Sequence, residues 1–285
     1  MFRYFFSFII TLFITFSLQA QIVCSNASKI ALDKKIEELN KMKVDTFNIP
    51  LREGNIARIF LDTPYLEKTL EIGKKEELVI NFVGFDCTTF VESVTAMNLL
   101  FNHAPSLRNL NHYATILERL RYRNGQLTGY GSRLHYFTEW VLNNQKKGIL
   151  KDMTLEIGGQ MYNKKINFMS THISSYKRLI DNDSAVNTIR VAETTINQQP
   201  LSQIYIKDIA AYEDKIQEGD IIALVTKING LDVSHVGIAV KKLDRIHLLH
   251  ASQSSGKVVI TNKPLAEWLK NSKLNTGITV ARLNP

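Results

Sequence analysis

The chain has 285 residues, of which 45% are hydrophobic and 22% charged, and its formal net charge is +8. This is the composition of an ordinary globular protein, and no repeat or low-complexity segment divides it. The lysines and arginines are scattered rather than gathered in a stripe, so we expect no nucleic-acid partner. Neither composition nor charge determines the oligomeric state.

The first twenty residues have the pattern of a secretory signal peptide. Arg3 precedes an apolar stretch that runs to Phe16, small and polar residues follow, and Ala20 is the expected last residue removed. The stretch is shorter than the ~20 residues of a membrane span, which favours cleavage over an uncleaved anchor, and a lipid-modified Cys24 is a third alternative. We therefore predict an exported, periplasmic protein without stable membrane insertion. Residues 21–285 would form a single domain with N-terminal and middle helical elaborations.

The predicted elements place helices first and strands last. Apolar residues at helical spacing predict helices over 27–45, near 53–73 with a break at Pro64, after Asp86, and over 112–122 and 133–146. From Gly219 onward, turn residues separate short β-rich runs. These runs are Ile221–Val225, Val233–Val240, Ile246–Ser252, Lys257–Thr261 and Ile278–Leu283, with a short helix at Leu265–Lys270 between the last two. This order predicts an α+β fold with N-terminal helices packed on a C-terminal antiparallel β-sheet.

The two cysteines, Cys24 and Cys87, are the first candidates for chemistry. In an exported protein they either form a disulfide or stay free, and we expect the segment around Cys24 to be loose, which disfavours a disulfide. Asp86 is a good N-cap, so Cys87 would be the first residue of a helix, where the helix dipole and unpaired amides stabilise a thiolate. The negative charge of Asp86 opposes this stabilisation of the thiolate. The alternative is that Cys87 is a buried cysteine with a structural role only.

Two histidines on neighbouring strands offer a base and a partner to orient it. Alternation places His235 on the strand face of Gly237 and Ala239, whose small side chains would let the end of the Cys87 helix approach. If Lys241–Asp244 forms a four-residue loop, His250 pairs directly with His235 on that face, while His247 points away. If the register slipped by one residue, His247 would share the face of His235 and His250 would point away.

These segments also resemble a known superfamily. Asp86-Cys87-Thr88-Thr89-Phe90-Val91 resembles the Asp-Cys-Ser-Gly-Phe-Val nucleophile segment of NlpC/P60 peptidases, and Ser234–Ala239 resembles their base strand. The closer resemblance is to the branch called domain of unknown function 1460, through Ser132–Tyr136, Gly230–Gly237 and His250-Ala251-Ser252. It spans residues 80 to 285. It implies a papain-like NlpC/P60 fold without metal or other cofactor, and N-acetylmuramoyl-L-alanine amidase activity on peptidoglycan fragments, including 1,6-anhydro muropeptides.

The resemblance also implies roles for individual residues. Cys87 would be the nucleophile, His235 the general base and then acid, and His250 the residue that orients His235. The substrate-binding candidates are Asp86, Thr88, Arg133 and His135, with Met169-Ser170-Thr171-His172 as a weaker candidate.

Thr88-Thr89 replaces the Ser-Gly of the wider superfamily, so its endopeptidase specificity should not be transferred. A γ-D-glutamyl-diamino acid endopeptidase, a non-catalytic muropeptide-binding protein and an acyl transferase remain the alternatives.

Overall fold

The structure is a computed structural model that describes residues 21–46 and 48–285, and the predicted signal peptide over residues 1–20 lies outside these. The α-helices are α1 (Asn26–Lys41), α2 (Ile49–Arg58), α3 (Cys87–Leu100), α4 (Leu110–Arg121), α5 (Phe137–Lys146), α6 (Thr154–Ile157), α7 (Phe168–Thr171), α8 (Asp183–Asn197), α9 (Ile209–Tyr212) and α10 (Leu265–Leu269). The strands are β1 (Ile22–Cys24), β2 (Leu78–Ile80), β3 (Leu150–Asp152), β4 (Gln160–Tyr162), β5 (Leu201–Tyr205), β6 (Ile221–Thr226), β7 (Val233–Lys242), β8 (Arg245–Ser252), β9 (Lys257–Ile260) and β10 (Asn275–Leu283). The α+β class is as predicted. In the described ranges, no helix has both the length and the apolar character that crossing a membrane requires.

The main sheet is antiparallel throughout. Its strand order is β4-β5-β10-β6-β7-β8-β9, and β3 pairs with β10 beside this path. Strands β6 to β9 follow one another in both sequence and space, because short connections make sequential strands antiparallel neighbours. The separate pair β1-β2 is parallel. Four of the five predicted C-terminal runs, β6 to β9, therefore lie side by side in chain order, whereas the fifth, β10, pairs with β6 on its other side.

Helix α3 packs against one face of this sheet. Its apolar residues share a cluster with the branched side chains Val236, Ile238 and Val240 of β7. The prediction that the helix approaches the face of Gly237 and Ala239 is wrong. Branched side chains bury more apolar area against a helix than glycine and alanine do, and a side chain at Gly237 would collide with β8.

The opposite face of the sheet is covered as well. The chain between β5 and β6 and helix α10 pack there in a second apolar cluster. Its buried members include Ile209, Ile216, Ile222, Leu248, Leu265, Leu269 and Val280. Strands β7 and β8 are thus held between two packed layers, which fixes the positions of the side chains that they carry.

The segment after α2 departs from the sequence prediction. The helix predicted near 53–73 ends at Arg58, and the following chain is irregular. Pro64 cannot donate to a helical ladder and keeps the residue before it out of the helical region. Tyr65 instead forms a parallel bridge with Phe85. The consequence is that Tyr65 lies beside the segment that leads into Cys87.

The segment around Cys24 is also more ordered than predicted. Cys24 belongs to β1 and pairs with Ile80 of β2. Both cysteines are free thiols. The expectation of a loose segment and the alternative of a Cys24–Cys87 disulfide are therefore both wrong.

A buried carboxyl group joins α2 to α3. Glu53 is 0% exposed and accepts hydrogen bonds from Thr95 Oγ1 at 2.9 Å and from Asn98 Nδ2 at 2.6 Å. Arg52 Nε donates to the other side of Asn98 at 2.6 Å. Burial raises the pKa of Glu53 to about 7, against the smaller lowering effect of these hydrogen bonds and of the Arg52 charge. The junction therefore holds a carboxyl group that titrates near neutral pH.

We expect Glu53→Gln to stabilise the protein more at pH 8 than at pH 5. The folded-state pKa of about 7 exceeds the ordinary 4.5, so the stability due to the bound proton is full below 4.5 and is lost as the pH rises through 7. Glutamine stays neutral, so the difference in unfolding free energy between variant and wild type should grow by on the order of 2 kcal/mol. Urea denaturation at both pH values measures this difference. A difference that does not vary with pH would contradict the prediction.

Candidate active site

Cys87 is the first residue of α3, and Asp86 is the N-cap of that helix. Thr89 N donates to Asp86 Oδ1 at 2.8 Å, and Asp86 N donates to Thr89 Oγ1 at 3.0 Å. This reciprocal capping box fixes the first turn of the helix. The backbone and hydroxyl of Thr88 lie close enough to the Cys87 sulfur to lower its pKa. Local sequence therefore accounts for the position of the thiol and for the polar groups of Thr88 beside it.

The surroundings of Cys87 favour the neutral thiol. Burial, and after it the negative charge of Asp86, raise the pKa of Cys87 to about 11, although hydrogen bonds from Val236 and Thr88 act in the opposite direction. A thiol with this pKa holds its proton at neutral pH in the free protein. Attack on a substrate would therefore need a base that removes the proton as the new bond forms.

A pair of histidines lies on β7 and β8, of which His235 is half-buried and His250 is buried. His235 Nε2 is 2.6 Å from His250 Nδ1, and the two rings meet edge to face with centroids 4.7 Å apart. His250 also contacts the ring of Trp268 at 5.5 Å. Burial lowers the pKa of His235 to about 3 and that of His250 to about 4. Both rings are neutral at pH 7, so one of the two facing nitrogens donates and the other accepts.

The register between β7 and β8 differs from the prediction by two residues. The turn is Leu243-Asp244, both residues have positive φ, and Lys242 pairs with Arg245. The predicted four-residue loop is therefore wrong, and His235 lies diagonal to His250 rather than opposite it. An even shift keeps both side chains on one face, and a diagonal neighbour is still within reach of a long side chain.

The other histidine of β8 makes a separate contact. The Nδ1 atom of His247, which is buried, lies 2.8 Å from Thr261 O. As predicted, His247 takes no part in the His235–His250 bond.

The thiol meets the histidine pair through the backbone of β7. The backbone N–H of Val236, the residue after His235, lies close enough to the Cys87 sulfur to lower its pKa. Within residues 21–46 and 48–285, no direct hydrogen bond joins this sulfur to the His235 ring. Because His235 Nε2 is occupied by His250, Nδ1 is the ring nitrogen that remains for proton exchange with the thiol.

Tyr65 is a residue near this site that sequence reasoning missed. Its pKa is raised by burial and then by the charge that Cys87 carries when deprotonated and by the charge of Asp86, so its hydroxyl lies within electrostatic reach of both. The bridge to Phe85 holds it there. No spacing or motif around Tyr65 indicates this position, because it depends on a contact between two segments of irregular chain.

The predicted substrate-binding residues Arg133 and His135 lie in a neighbouring cluster. Arg133 is 6% exposed and is ion-paired with Glu71 and Glu76. His135 Nε2 is 2.9 Å from Tyr130 O, and its ring lies against Tyr130. The helix predicted over 133–146 begins only at Phe137, because the chain at Arg133 is extended and bridges Tyr122.

Of the weaker candidate segment, His172 is exposed and stacks on Phe168, with ring centroids 4.2 Å apart. Its Nδ1 lies 2.8 Å from Phe168 O. These contacts are local to one turn of chain.

Two cavities lie away from the thiol. One of about 400 Å³ opens to solvent between residues 123–132 and the start of α8, and another of about 230 Å³ lies between α5 and α8. Neither is lined by Cys87, His235 or His250. We place the candidate site by its reactive groups rather than by cavity size, since the chemistry requires a nucleophile with a base close to it. Among the described residues, no three His, Cys, Asp or Glu side chains gather into a group that could hold a metal ion.

Asp86→Asn is expected to lower the pKa of Cys87. The asparagine oxygen can still accept from Thr89 N and preserve the cap, while the negative charge beside the thiol is removed. In a Cys24→Ala background only Cys87 can react with iodoacetamide. The midpoint of alkylation rate against pH should move from about 11 toward the ordinary 9.0. An unchanged midpoint would show that burial alone sets this pKa.

Comparison with known proteins agrees with this fold. A family model described as AmiA-like, N-acetylmuramoyl-L-alanine amidase-like, matches residues 55–278. The chain is 36% identical to an N-acetylmuramoyl-L-alanine amidase from Bacteroides uniformis, whose crystal structure covers 82% of this chain and 98% of its own with a TM-score of 0.77.

Two further crystal structures are similar. A Bacteroides fragilis protein, provisionally called a xylanase, is 38% identical over 80% of this chain and 99% of its own, with a TM-score of 0.74. LPG0564 from Legionella pneumophila is assigned to domain of unknown function 1460 and is 22% identical to the chain. Its structure covers 91% of this chain and 95% of its own with a TM-score of 0.65, which shows a shared fold. No curated protein sequence matches the chain.

Fold and site together define an α+β protein with a free thiol at a helix N-terminus and a hydrogen-bonded histidine pair on the adjoining sheet. The chain belongs to the AmiA-like, N-acetylmuramoyl-L-alanine amidase-like family. The resemblance to an amidase-like branch that the sequence motifs indicate is confirmed.

Proposed function

We propose that the protein hydrolyses the amide bond between N-acetylmuramic acid and L-alanine in peptidoglycan fragments, with Cys87 as nucleophile. Membership in the family supports a cell-wall amidase role. The observation that carries the cysteine mechanism is the 2.6 Å bond between His235 and His250 on a sheet against which α3, the helix that begins at Cys87, packs. A nucleophile, a base and a group that orients the base, as in papain-like NlpC/P60 enzymes, are the set that thioester chemistry needs.

In the acylation step the Cys87 sulfur attacks the lactyl carbonyl carbon while its proton passes to His235 Nδ1. His235 becomes an imidazolium, and its Nε2–H donates to neutral His250 Nδ1. Burial lowers the pKa of His250 to about 4 and so keeps it an acceptor at neutral pH. The Tyr65 hydroxyl and the N–H of Thr88 are the donors that would stabilise the oxyanion.

The intermediate then collapses as the C–N bond breaks. His235 returns its proton to the departing nitrogen of L-alanine, so the peptide leaves as a neutral amine and a thioester remains on Cys87. Water, deprotonated by His235, attacks the thioester carbonyl. The products are muramic acid with a free carboxylate, the free peptide and the regenerated thiol.

The proposal also includes where the protein acts, which form of the sugar it accepts and which part of the chain is the catalytic domain. The signal-peptide pattern over residues 1–20 supports export to the periplasm, where wall fragments are released. A 1,6-anhydro sugar is included as an acceptable form of the muramic acid, as the family resemblance of the sequence motifs suggests. Residues 21–285 would act as one catalytic domain.

Mass spectrometry of defined anhydromuropeptides incubated with the protein tests the proposal. Intact stem peptide that begins with L-alanine is the expected product. Cleavage between D-glutamate and the diamino acid would replace the amidase assignment by the endopeptidase alternative. Unchanged substrate that nevertheless binds would favour a binding protein, and a mass gain on the muramoyl group other than water would favour acyl transfer. Release of reducing sugar from xylan would instead favour the activity named for the Bacteroides fragilis relative.

A further inference from the structure

A cluster of four charged residues and a tyrosine lies outside the catalytic set. Arg178 Nη1 binds Glu76 Oε2 at 2.9 Å, and Arg133 Nε lies 3.5 Å from Glu76 Oε1. Glu71 contacts both arginines, with one carboxylate oxygen on Arg133 and the other 3.5 Å from Arg178 Nε. The two guanidinium groups lie 4.9 and 5.8 Å from the ring centre of Tyr130. Two arginines therefore converge on two carboxylates beside an aromatic face.

The two carboxylates are not equivalent. The side chain of Glu76 is 1% exposed, and it also accepts a hydrogen bond from Tyr122 at 3.0 Å. The side chain of Glu71 is 37% exposed, and residues 71–75 are all exposed. Glu76 is thus a permanent counter-ion built into the protein, whereas Glu71 reaches the arginines from a surface loop. Only Glu71 could be replaced without opening the core.

Glu76 alone would compensate the charge of only one of the two arginines. Their side chains are 8% and 11% exposed, and a buried cation without a partner is costly. Arg133 Nε has no hydrogen-bond partner even with Glu71 in place. If Glu71 moved away, the cluster would hold two positive charges against one negative charge. It would then bind a second carboxylate, for which the planar guanidinium groups are well shaped.

The cluster lies near the proposed nucleophile. The chain from Tyr65, within electrostatic reach of Cys87, to Glu71 is six residues long and spans at most ~20 Å. Glu92 on α3 lies 2.7 Å from Arg121 Nε, and the backbone of Arg121 accepts a hydrogen bond from Leu134, the residue after Arg133. A substrate bound at Cys87 could therefore extend to the arginines.

We propose that Glu71 occupies the place of a substrate carboxylate, and that a carboxylate of the stem peptide replaces it between Arg133 and Arg178. This inference rests on the proposed amidase function. In such a substrate the carboxyl group of muramic acid is consumed in the scissile amide, so the free carboxylates lie on the peptide side. The nearest is the α-carboxylate of the residue that follows L-alanine. Arg178 is a specificity residue that no motif in the sequence indicates.

Calorimetric binding to the Cys87→Ala protein tests this without requiring hydrolysis. The probes are the γ-amide of L-alanyl-D-glutamate, whose α-carboxylate is free (the acid), and the corresponding α,γ-diamide (the amide), which differ only in that α-carboxylate. Glu71→Gln should bind the acid about three- to tenfold more tightly, because the internal competitor loses its charge, and should bind the amide as before. Arg178→Gln should bind the acid about tenfold more weakly and also leave the amide unchanged.

Glu156→Gln is the matched control, since Glu156 pairs at the surface with Lys151 and its loss changes the net charge by the same amount. The control should bind both probes as the parent protein does. Equal effects of Glu71→Gln or Arg178→Gln on acid and amide would indicate a structural role and overturn the inference, as would a parent protein that binds neither probe or prefers the amide. The mass-spectrometric test of hydrolysis is independent of these results, so failure of the proposed function would be recognised separately.

Discussion

Cys87→Ala is expected to reduce amide hydrolysis by about 10⁴-fold or more, because alanine can form no thioester. The thiol is the only group at the start of α3 that the proposed mechanism uses as a nucleophile, and no second path replaces it. Substrate binding should remain, since the capping box of Asp86 and Thr89 does not involve the sulfur. The measurements are kcat/KM with a defined muropeptide and the binding constant of the same substrate to the inactive variant.

Cys24→Ala is the matched control for this experiment. Cys24 is likewise a free thiol, half-buried on β1 and outside the proposed site. It should retain wild-type kcat/KM. Residual hydrolysis by Cys87→Ala within tenfold of wild type would contradict the nucleophile assignment, and a Cys24→Ala protein as inactive as Cys87→Ala would show that the assay detects damage to the fold.

His250→Ala is expected to lower kcat by about 10²-fold or more while KM changes little. Without His250 Nδ1 as acceptor, the His235 ring is free to turn and its imidazolium loses a partner during acylation. His250→Gln should recover part of the loss, because the glutamine oxygen can accept from His235 Nε2–H. Equal losses in both variants would indicate that His250 contributes packing against Trp268 rather than orientation.

The low pKa values of His235 and His250 predict the pH at which kcat/KM falls on the acid side of its pH profile. Burial lowers the pKa of His250 to about 4 and that of His235 to about 3, so the neutral rings persist at pH 5 and kcat/KM should fall only as the pH approaches 4. An acid limb near the ordinary 6.5 would mean that water reaches the rings in the working enzyme. His247→Gln, on the same strand and able to donate to Thr261 O, is the control and should keep the wild-type profile.

Two features of the site follow from residues that are close together in the chain: the helix start at Cys87 and the shared strand face of His235 and His250. Asp86 predicts a capped helix that begins at Cys87, because its carboxylate can accept from amides of the first turn, and the structure adds Thr89 as the reciprocal partner. Alternation along β7 and β8 predicts that His235 and His250 share a face. The pairing survives a register that differs by two residues, since the side-chain period of a strand is two.

The sequence by itself therefore determined the α+β order, the placement of the Cys87 thiol at a helix start and the common face of the histidines. Only the tertiary structure decided which sheet face receives α3, that Tyr65 lies near the thiol, and that Arg133 shares its carboxylates with Arg178. The reason is physical. Caps and strand alternation act between residues a few positions apart, whereas these three features depend on contacts between segments far apart in the chain, where burial and charge pairing choose among partners that no local pattern ranks.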